Sequence, residues 1–256
     1  MLEIKVLIAA HKNSRVPNDP VYCPVQVGAA LYDPLSIPGL LRDDQGDSIS
    51  WKNPNYCELT GLYWGWKNLS ADYLGIVHYR RYFSGARWRK DKWARIATWN
   101  DLEQELHACP VILPKKRHYW IETTYSQYVH AHHAQDLDKT RQILARNYPE
   151  YLPAFDRVMN RTSGHRFNMF VMRRNLLDSY CSWLFDVLFT LEAELDISNY
   201  SPNDARVFGF VSERMLDVWV ETNHIVYKEM PCLFMEKQNW LKKGGAFLKR
   251  KFIGKL

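Results

Sequence analysis

The chain alternates short apolar segments with helical patterns, and this order limits its fold more than any other feature of the sequence. Apolar, β-branched runs are typical of buried strands, whereas apolar residues at intervals of three and four are typical of helices. We predict strands at residues 4–10, 71–77, 109–114 and 167–172, and helices at 57–68, 123–160, 176–195 and 204–220. The intervening segments 11–24 and 43–56 are rich in turn residues and predict loops. The order predicts an α/β sheet, which binds ligands at the carboxyl ends of its strands.

Length and cysteine usage predict one domain from a reducing compartment. A chain of 256 residues that is 46% hydrophobic can bury one sizeable core, and no break in composition divides it. The five cysteines are scattered and include no CxxC pair, so they indicate neither a disulfide framework nor a structural zinc site. No window is apolar for long enough to span a bilayer, and the N-terminus does not have the layout of a signal peptide.

The positive charge is concentrated in the C-terminal segment 237–256, which we treat as a tail following a domain at 1–236. This tail contains seven Lys or Arg and no Asp or Glu, so the domain itself is near neutral and does not predict a nucleic-acid partner. Aromatic and basic residues alternate in the tail as in a basic amphipathic segment that lies on an anionic membrane. The residues expected at the membrane are Trp240, Lys242, Lys243, Phe247, Lys249, Arg250, Lys251 and Phe252. A frayed, solubilising tail is the alternative, which Gly244 and Gly245 favour.

The predicted strand at 71–77 runs without a turn signal into His78, Arg80 and Arg81. If this strand ends at the ligand edge of the sheet, the two arginines lie in or beside the cleft. The planar guanidinium group donates two parallel hydrogen bonds and stays charged, which suits a diphosphate. The alternative is that the arginines form structural ion pairs with the carboxylates of segment 43–47. Neither GxxxxGK[ST] nor GxGxxG is present, so the sequence does not predict an ordinary nucleotide triphosphatase or dehydrogenase.

Five motifs follow one another along the chain: AHKNSRVPNDPVYCPVQVGAA, DDQGDSISWKNPNYCELTGLYWGWKN, ADYLGIVHYRRYF, NMFVM and SERMLDVWV. Together they resemble a family of bacterial capsule, O-antigen and exopolysaccharide glycosyltransferases, and the match covers residues 4 to about 220. The family was long described as a domain of unknown function, and its characterised activity is galactofuranosyl transfer. The resemblance implies a GT-A-like α/β domain that binds a nucleotide sugar, with an acceptor side built mostly of helices.

The resemblance also implies how the donor is held. GT-A enzymes carry a DxD motif for a divalent cation where this sequence reads HYR at 78–80, so a magnesium or manganese site is in doubt and no cofactor is required. We expect Arg80 and Arg81 to neutralise the diphosphate instead, and His78 to donate a hydrogen bond to phosphate rather than bind a metal. The further donor-binding residues implied by the resemblance are His11, Lys12, Asp44, Asp47, Lys52, Asn53 and Asn168. Ordinary turn chemistry is the alternative for those in the loops.

The family pattern Tyr-x-x-x-His places Tyr128 and His132 at the sugar or acceptor, and Arg206 is a further candidate there. The histidines at 130–133 could suggest a metal, but their spacing does not put them on one helix face. An inverting transfer needs a carboxylate that removes the proton of the acceptor hydroxyl. Glu213 in SERML is our candidate, with Asp136 in reserve. A surface ion pair of Glu213 with Arg214 or Arg206 is the alternative.

The resulting hypothesis is an inverting transfer of galactofuranose from UDP-galactofuranose onto a lipid-linked glycan at the cytoplasmic face of the cell membrane. The basic segment 87–93 could touch the bilayer or the diphosphate of the lipid carrier, or it could be a disordered, solvated loop. A transferase that uses UDP-galactopyranose, UDP-glucose or another UDP-hexose is one alternative. A non-enzymatic module that binds membrane or glycan is the other.

Overall fold

The structure is a computed structural model that describes residues 2–85, 88–119 and 121–236. The predicted tail at 237–256 and Arg87 of the basic segment lie outside these ranges. Within them, no helix is both long enough and apolar enough to cross a bilayer.

The described chain folds into strands and helices that alternate in its first half. The strands are β1 Ile4–Ala10, β2 Tyr22–Gln26, β3 Leu41–Arg42, β4 Tyr73–His78, β5 Arg81–Phe83, β6 Val111–Pro114, β7 Arg117–His118, β8 Ser163–Gly164, β9 Phe170–Arg173, β10 Lys228–Met230 and β11 Cys232–Phe234. The helices are α1 Asn53–Tyr56, α2 Leu59–Asn68, α3 Trp99–Ala108, α4 Thr124–Val129, α5 Ala134–Asn147, α6 Leu152–Asn160, α7 Arg174–Glu194 and α8 Val207–Thr222.

A central sheet with the strand order β10-β6-β9-β4-β1-β2-β3 organises the fold, which confirms the predicted α/β class and single domain. β1, β2, β3 and β4 are parallel, and so are β6 and β10, whereas β9 is antiparallel to both of its neighbours. The carboxyl ends of β1 and β4 therefore meet the amino end of β9 at one edge of the sheet. Short β5 pairs with both β4 and β11 at this edge.

The two faces of the sheet carry two cores, because successive side chains of a strand point to opposite faces. In β1, Val6 and Ile8 pack into the core that includes α3, whereas Leu7 packs into the larger core built by α2 and α5–α8. Gly75 of β4 allows close pairing with β9, since a Cβ atom there would lie 2.7 Å from the carbonyl oxygen of Phe170. This packing fixes the strand ends that carry the polar residues.

The structure confirms the principal predicted elements and shifts several of their bounds. β1 matches its predicted range, but β2 begins inside the segment 11–24 predicted as a loop and extends beyond it; Pro24, which cannot donate to a strand ladder, interrupts its strand pattern. β9 begins three residues later than predicted, since Phe167 and Asn168 have left-handed backbone angles. The helical region at 123–160 is three helices, the last preceded by a turn that begins at Pro149. All five cysteines are free, as expected.

Candidate functional site

The carboxyl edge of β4 places His78 at the centre of a polar cluster. The His78 side chain is 12% exposed; its Nε2 atom lies 2.7 Å from the carbonyl oxygen of Phe167 and 3.8 Å from Oε1 of Glu58. Burial lowers the pKa of His78, which favours the neutral ring, although the carboxylate of Glu58 opposes this shift. A neutral ring that donates from Nε2 to the Phe167 carbonyl holds β4 against the segment preceding β9.

Backbone strain is concentrated at the same place. Cys57, Phe167 and Asn168 have φ angles of 54°, 81° and 50°, values that residues other than glycine rarely adopt. The amide Nδ2 of Asn168 donates to Glu58 Oε1 at 2.7 Å and to the carbonyl oxygen of Gly209 at 3.1 Å, so the strained segments touch through side chains. Strained residues persist where the surrounding structure holds them, and they cluster at functional sites. We therefore place the candidate site at this edge.

The two arginines that follow β4 lie against aromatic rings and near acidic side chains. The guanidinium carbon of Arg81 lies 4.4 Å from the centre of the Phe167 ring, and Arg80 Nη1 lies 3.7 Å from Glu236 Oε2. The Nε atoms of both arginines are shielded from solvent and have no hydrogen-bond partner within the described residues. Lys12 Nζ contacts the other oxygen of Glu236 at 3.4 Å. The edge thus holds several cations, two of which keep an unpaired Nε donor within the described residues.

His11 after β1 belongs to the same group of cations. Its ring packs edge-on against Tyr79 at 5.1 Å between centres. His11 is an exposed residue that is only partly buried; this partial burial lowers its pKa, and the nearby positive charges of Arg80, Lys12 and Arg206 lower it further. A bound anion would reverse this electrostatic effect, so the protonation of His11 reports on ligand charge.

Glu213 and Arg206 approach this group of cations from the start of α8. Arg206 Nε donates to Cys57 Sγ at 3.1 Å, and burial raises the pKa of that thiol to about 12. Glu213 pairs with Arg214 at 3.1 Å, as the structural alternative predicted, yet its charge also opposes the burial-driven lowering of the pKa of Arg81. We call the seven gathered residues the edge cluster: His11, Glu58, His78, Arg80, Arg81, Arg206 and Glu213.

Of the predicted sugar or acceptor residues, Arg206 belongs to the edge cluster, whereas Tyr128 and His132 lie beside it and differ in their surroundings. The His132 ring stacks on Phe210 of α8 at 4.2 Å and lies 5.0 Å from the ring of Tyr128. Tyr128 is fully buried and donates its hydroxyl to Asp136 at 2.7 Å. Asp136 also accepts from the Tyr200 hydroxyl, and burial raises its pKa. With both oxygens bound inside the core, Asp136 has the surroundings of a structural carboxylate, which favours Glu213 as the base.

Within the described residues, the four donor-binding candidates of the second loop form no contact with His78, Arg80 or Arg81. Each instead binds a neighbour: Asp44 with Arg42, Asp47 with Tyr63, Lys52 with Glu192, and Asn53 with the carbonyl oxygen of Cys57. The alternative ion pairs of Arg80 and Arg81 with the carboxylates of this loop are also absent from the described residues. Asp43, the third of these carboxylates, accepts hydrogen bonds from the backbone N–H groups of Gly28 and Ala29. The loop is stabilised by these local bonds.

The described residues contain no group of three or more His, Cys, Asp or Glu that could hold a metal ion. In the histidine run, His130 pairs with Glu122 and His133 lies 3.7 Å from Asp204 Oδ2. The edge cluster offers mainly nitrogen cations, which do not fit the oxygen ligands of Mg²⁺. The residues present therefore do not fit a GT-A cation site, and we assign no step to a metal.

Sequence reasoning missed Glu58, which lies between His78 and Asn168. A glutamate that precedes a helix is ordinary, because it interacts favourably with the helix dipole. The signal that marks Glu58 is the strained backbone of the preceding residue, Cys57. Backbone angles are not visible in a sequence, so sequence reasoning could not use this signal.

A cavity of about 660 Å³ lies away from the edge cluster, beside the C-terminal half of α8. It is lined by Lys116, Arg161, Ser163, Asp217, Val220, Glu221, His224, Ile225 and Tyr227. Its charged groups are paired: Arg161 with Glu221, and Lys116 with the Tyr227 hydroxyl at 3.0 Å. We call the residues that line this cavity the cavity cluster.

A protein family described as "Domain of unknown function (DUF4422)" matches residues 5–224. The chain belongs to this family. Its fold is also similar to the apo structure of WbbM, a bifunctional glycosyltransferase, with 30% sequence identity and a TM-score of 0.82. The match covers 92% of this chain and 46% of that chain, so this chain spans about half the length of WbbM. No curated protein matches the chain.

Proposed function

We propose that this protein is an inverting glycosyltransferase that moves galactofuranose from UDP-galactofuranose to a lipid-linked glycan in bacterial surface polysaccharide synthesis. The observation that carries the proposal is the group of cations with unbound donors at the carboxyl edge of β4, above all Arg80 and Arg81. The similarity to a glycosyltransferase fold supports glycosyl transfer as the reaction class.

The diphosphate of the donor binds to Arg80 and Arg81, with His11 and His78 beside it. Arginine stays protonated in proteins, so Arg81 keeps its charge although burial lowers its pKa. Two fixed positive charges stabilise the negative charge that develops on the departing UDP without the reorganisation that water would require.

The chemical step is a single displacement at the anomeric carbon of the donor sugar. The acceptor oxygen forms a bond to this carbon while the bond to the β-phosphate oxygen breaks, and its electron pair leaves with UDP. Glu213 takes the proton of the acceptor hydroxyl, and the anomeric configuration is inverted. Arg206 and His132 line the acceptor side at the start of α8, through their contacts with Phe210.

The test is a screen of the purified protein against UDP-hexoses, with a glycan acceptor, in the presence and absence of EDTA. We expect transfer from UDP-galactofuranose that persists in EDTA. Strict dependence on added Mn²⁺ or Mg²⁺ would contradict binding by arginine. Transfer from UDP-galactopyranose or UDP-glucose alone would change the sugar, and no binding of UDP would favour a non-enzymatic module.

The acceptor and the location belong to the same proposal. We place the protein on the inner face of the cell membrane, held by the basic tail at 237–256. Deleting this tail should leave turnover of a short soluble acceptor intact and weaken binding to vesicles that contain anionic lipid. Equal vesicle binding with and without the tail would remove the anchor from the proposal.

A further inference from the structure

Glu58 has a position that the proposed chemistry has not yet used. It lies between α1 and α2, directly after the strained residue Cys57, and its side chain is only 13% exposed. Burial acts to lower the pKa values of Arg206 and Arg81. Cys57 is the main group that raises the pKa of Arg206 and Glu58 adds to it, while Glu58 also opposes the lowering of the pKa of Arg81, after Glu213 and Cys232. Glu58 is therefore an acidic group within the edge cluster.

One oxygen of this carboxylate is fixed and the other is open. Oε1 accepts from Asn168 Nδ2 at 2.7 Å. Within the described residues, no hydrogen bond is formed to Oε2. A carboxylate oxygen has room for further hydrogen bonds, and at a ligand edge such an oxygen accepts from a hydroxyl group.

Asn168, by contrast, has little capacity left for a ligand. Its Nδ2 donates both to Glu58 and to the carbonyl oxygen of Gly209, and its Oδ1 accepts from the Ser212 hydroxyl at 2.9 Å. An amide nitrogen has two hydrogens, so its donors are used. Asn168 thus links α8 to the loop before α2 and fixes the carboxylate of Glu58.

We infer that Glu58 binds a hydroxyl group of the transferred hexose through Oε2, and that Asn168 is the positioning residue that orients Glu58. This inference rests on the proposed function, because it names the sugar-binding group of the same site. The ligand is a neutral polyol attached to the diphosphate that Arg80 and Arg81 hold. Glu213 remains the base of the proposed reaction, and Glu58 accepts from a sugar hydroxyl that does not react.

The test compares two titrations, one with UDP and one with UDP-galactofuranose, on wild type and on Glu58→Gln. The substitution keeps size and the bond from Asn168, but it presents an amide in place of the open carboxylate oxygen. We expect the affinity for UDP-galactofuranose to fall about 10- to 100-fold, the loss of a hydrogen bond to a charged group, while the affinity for UDP is unchanged. Asn168→Ala should also lower the affinity for UDP-galactofuranose relative to the affinity for UDP.

Glu192→Gln is the matched control, because Glu192 is bound to Lys52 and Tyr56 outside the edge cluster. It should leave both affinities at wild-type values. An equal loss of UDP and UDP-galactofuranose binding in Glu58→Gln would overturn the inference, and so would an unchanged affinity for UDP-galactofuranose. If the wild type binds neither UDP nor UDP-galactofuranose, the proposed function itself is wrong. This result is obtained before any variant is tested, so it is distinguishable from a failure of the inference about Glu58.

Discussion

The edge cluster and the cavity cluster both contain arginine, histidine and carboxylate groups, but they differ in how completely these groups bind one another. In the cavity cluster, Arg161 is paired with Glu221, which also accepts from Arg157. In the edge cluster, Arg80 and Arg81 keep shielded Nε donors that have no partner within the described residues. The edge, with unpaired donors, is therefore a better candidate for ligand binding than a cavity whose charged groups are already paired.

The histidines of the two regions show the same contrast. His165, beside the cavity, is 1% exposed and is bound by Asp217 at Nδ1 and by Glu229 at Nε2, 3.1 Å away. The pKa of His11, at the edge, is lowered by partial burial and, in addition, by the positive charges near it. Paired groups stabilise the fold, whereas groups held near like charge favour a ligand of opposite charge.

The sharpest test of the comparison is Glu213→Gln. A positioned base contributes roughly 10²- to 10⁴-fold, so kcat should fall by about that factor while the affinity for UDP stays near wild type. The measurement is steady-state transfer together with titration of UDP. Turnover within about threefold of wild type, far below the loss expected for a missing base, would make Glu213 a structural partner of Arg214.

Arg81→Ala should have the next largest effect. Loss of a group that stabilises the charge on the leaving diphosphate should lower kcat/KM by about 10²- to 10³-fold. Arg161→Ala is the matched control from the cavity cluster. The partly exposed ion pair of Arg161 with Glu221 should contribute about 0–1 kcal/mol to the free energy of unfolding, and the variant should keep wild-type turnover. Equal losses of activity in the two variants would end the distinction between the clusters.

Asp217→Asn tests the structural side of the comparison. Asp217 is 4% exposed and accepts from the backbone N–H of His165 at 3.0 Å as well as from its ring. Weakening this buried pair should lower the free energy of unfolding by about 1–3 kcal/mol, measured by urea denaturation. The folded variant should keep wild-type turnover, and a selective loss of turnover at unchanged stability would move Asp217 into the functional site.

The pH dependence of donor binding should be the smallest effect. Because the pKa of His11 in the free protein lies below 6.5, the ring is neutral at pH 7, and a bound diphosphate should raise that pKa and draw in a proton. The affinity for a UDP-hexose should therefore fall, by at most about tenfold per unit, as pH rises between the free and bound pKa values. Calorimetry in buffers of different ionisation enthalpy should detect the proton uptake, and His11→Gln should abolish it.

The parts of this molecule that could be predicted from sequence are those that depend on local pattern. The apolar run of β1 and the arginines after β4 were visible because apolar residues give way abruptly to charged residues at the ends of these strands. The position of Glu58 was not visible, since it depends on strain at Cys57 and on a contact with Asn168 across 110 residues of sequence. Such long-range contacts follow from sheet order: β9 runs antiparallel to β4, so Asn168, two residues before β9, lies at the edge where β4 ends.

The pairing of β11 with β5 has a practical consequence for work with this protein. Met235 N donates to the carbonyl oxygen of Arg80 at 3.0 Å, so the chain leaves the described domain at residue 236 beside the cations of the edge cluster. Residue 2, in contrast, precedes β1 at the opposite edge of the sheet. An affinity tag fused directly after residue 236 would stand beside Arg80 of the edge cluster, whereas a tag at the amino terminus would lie at the opposite edge of the sheet.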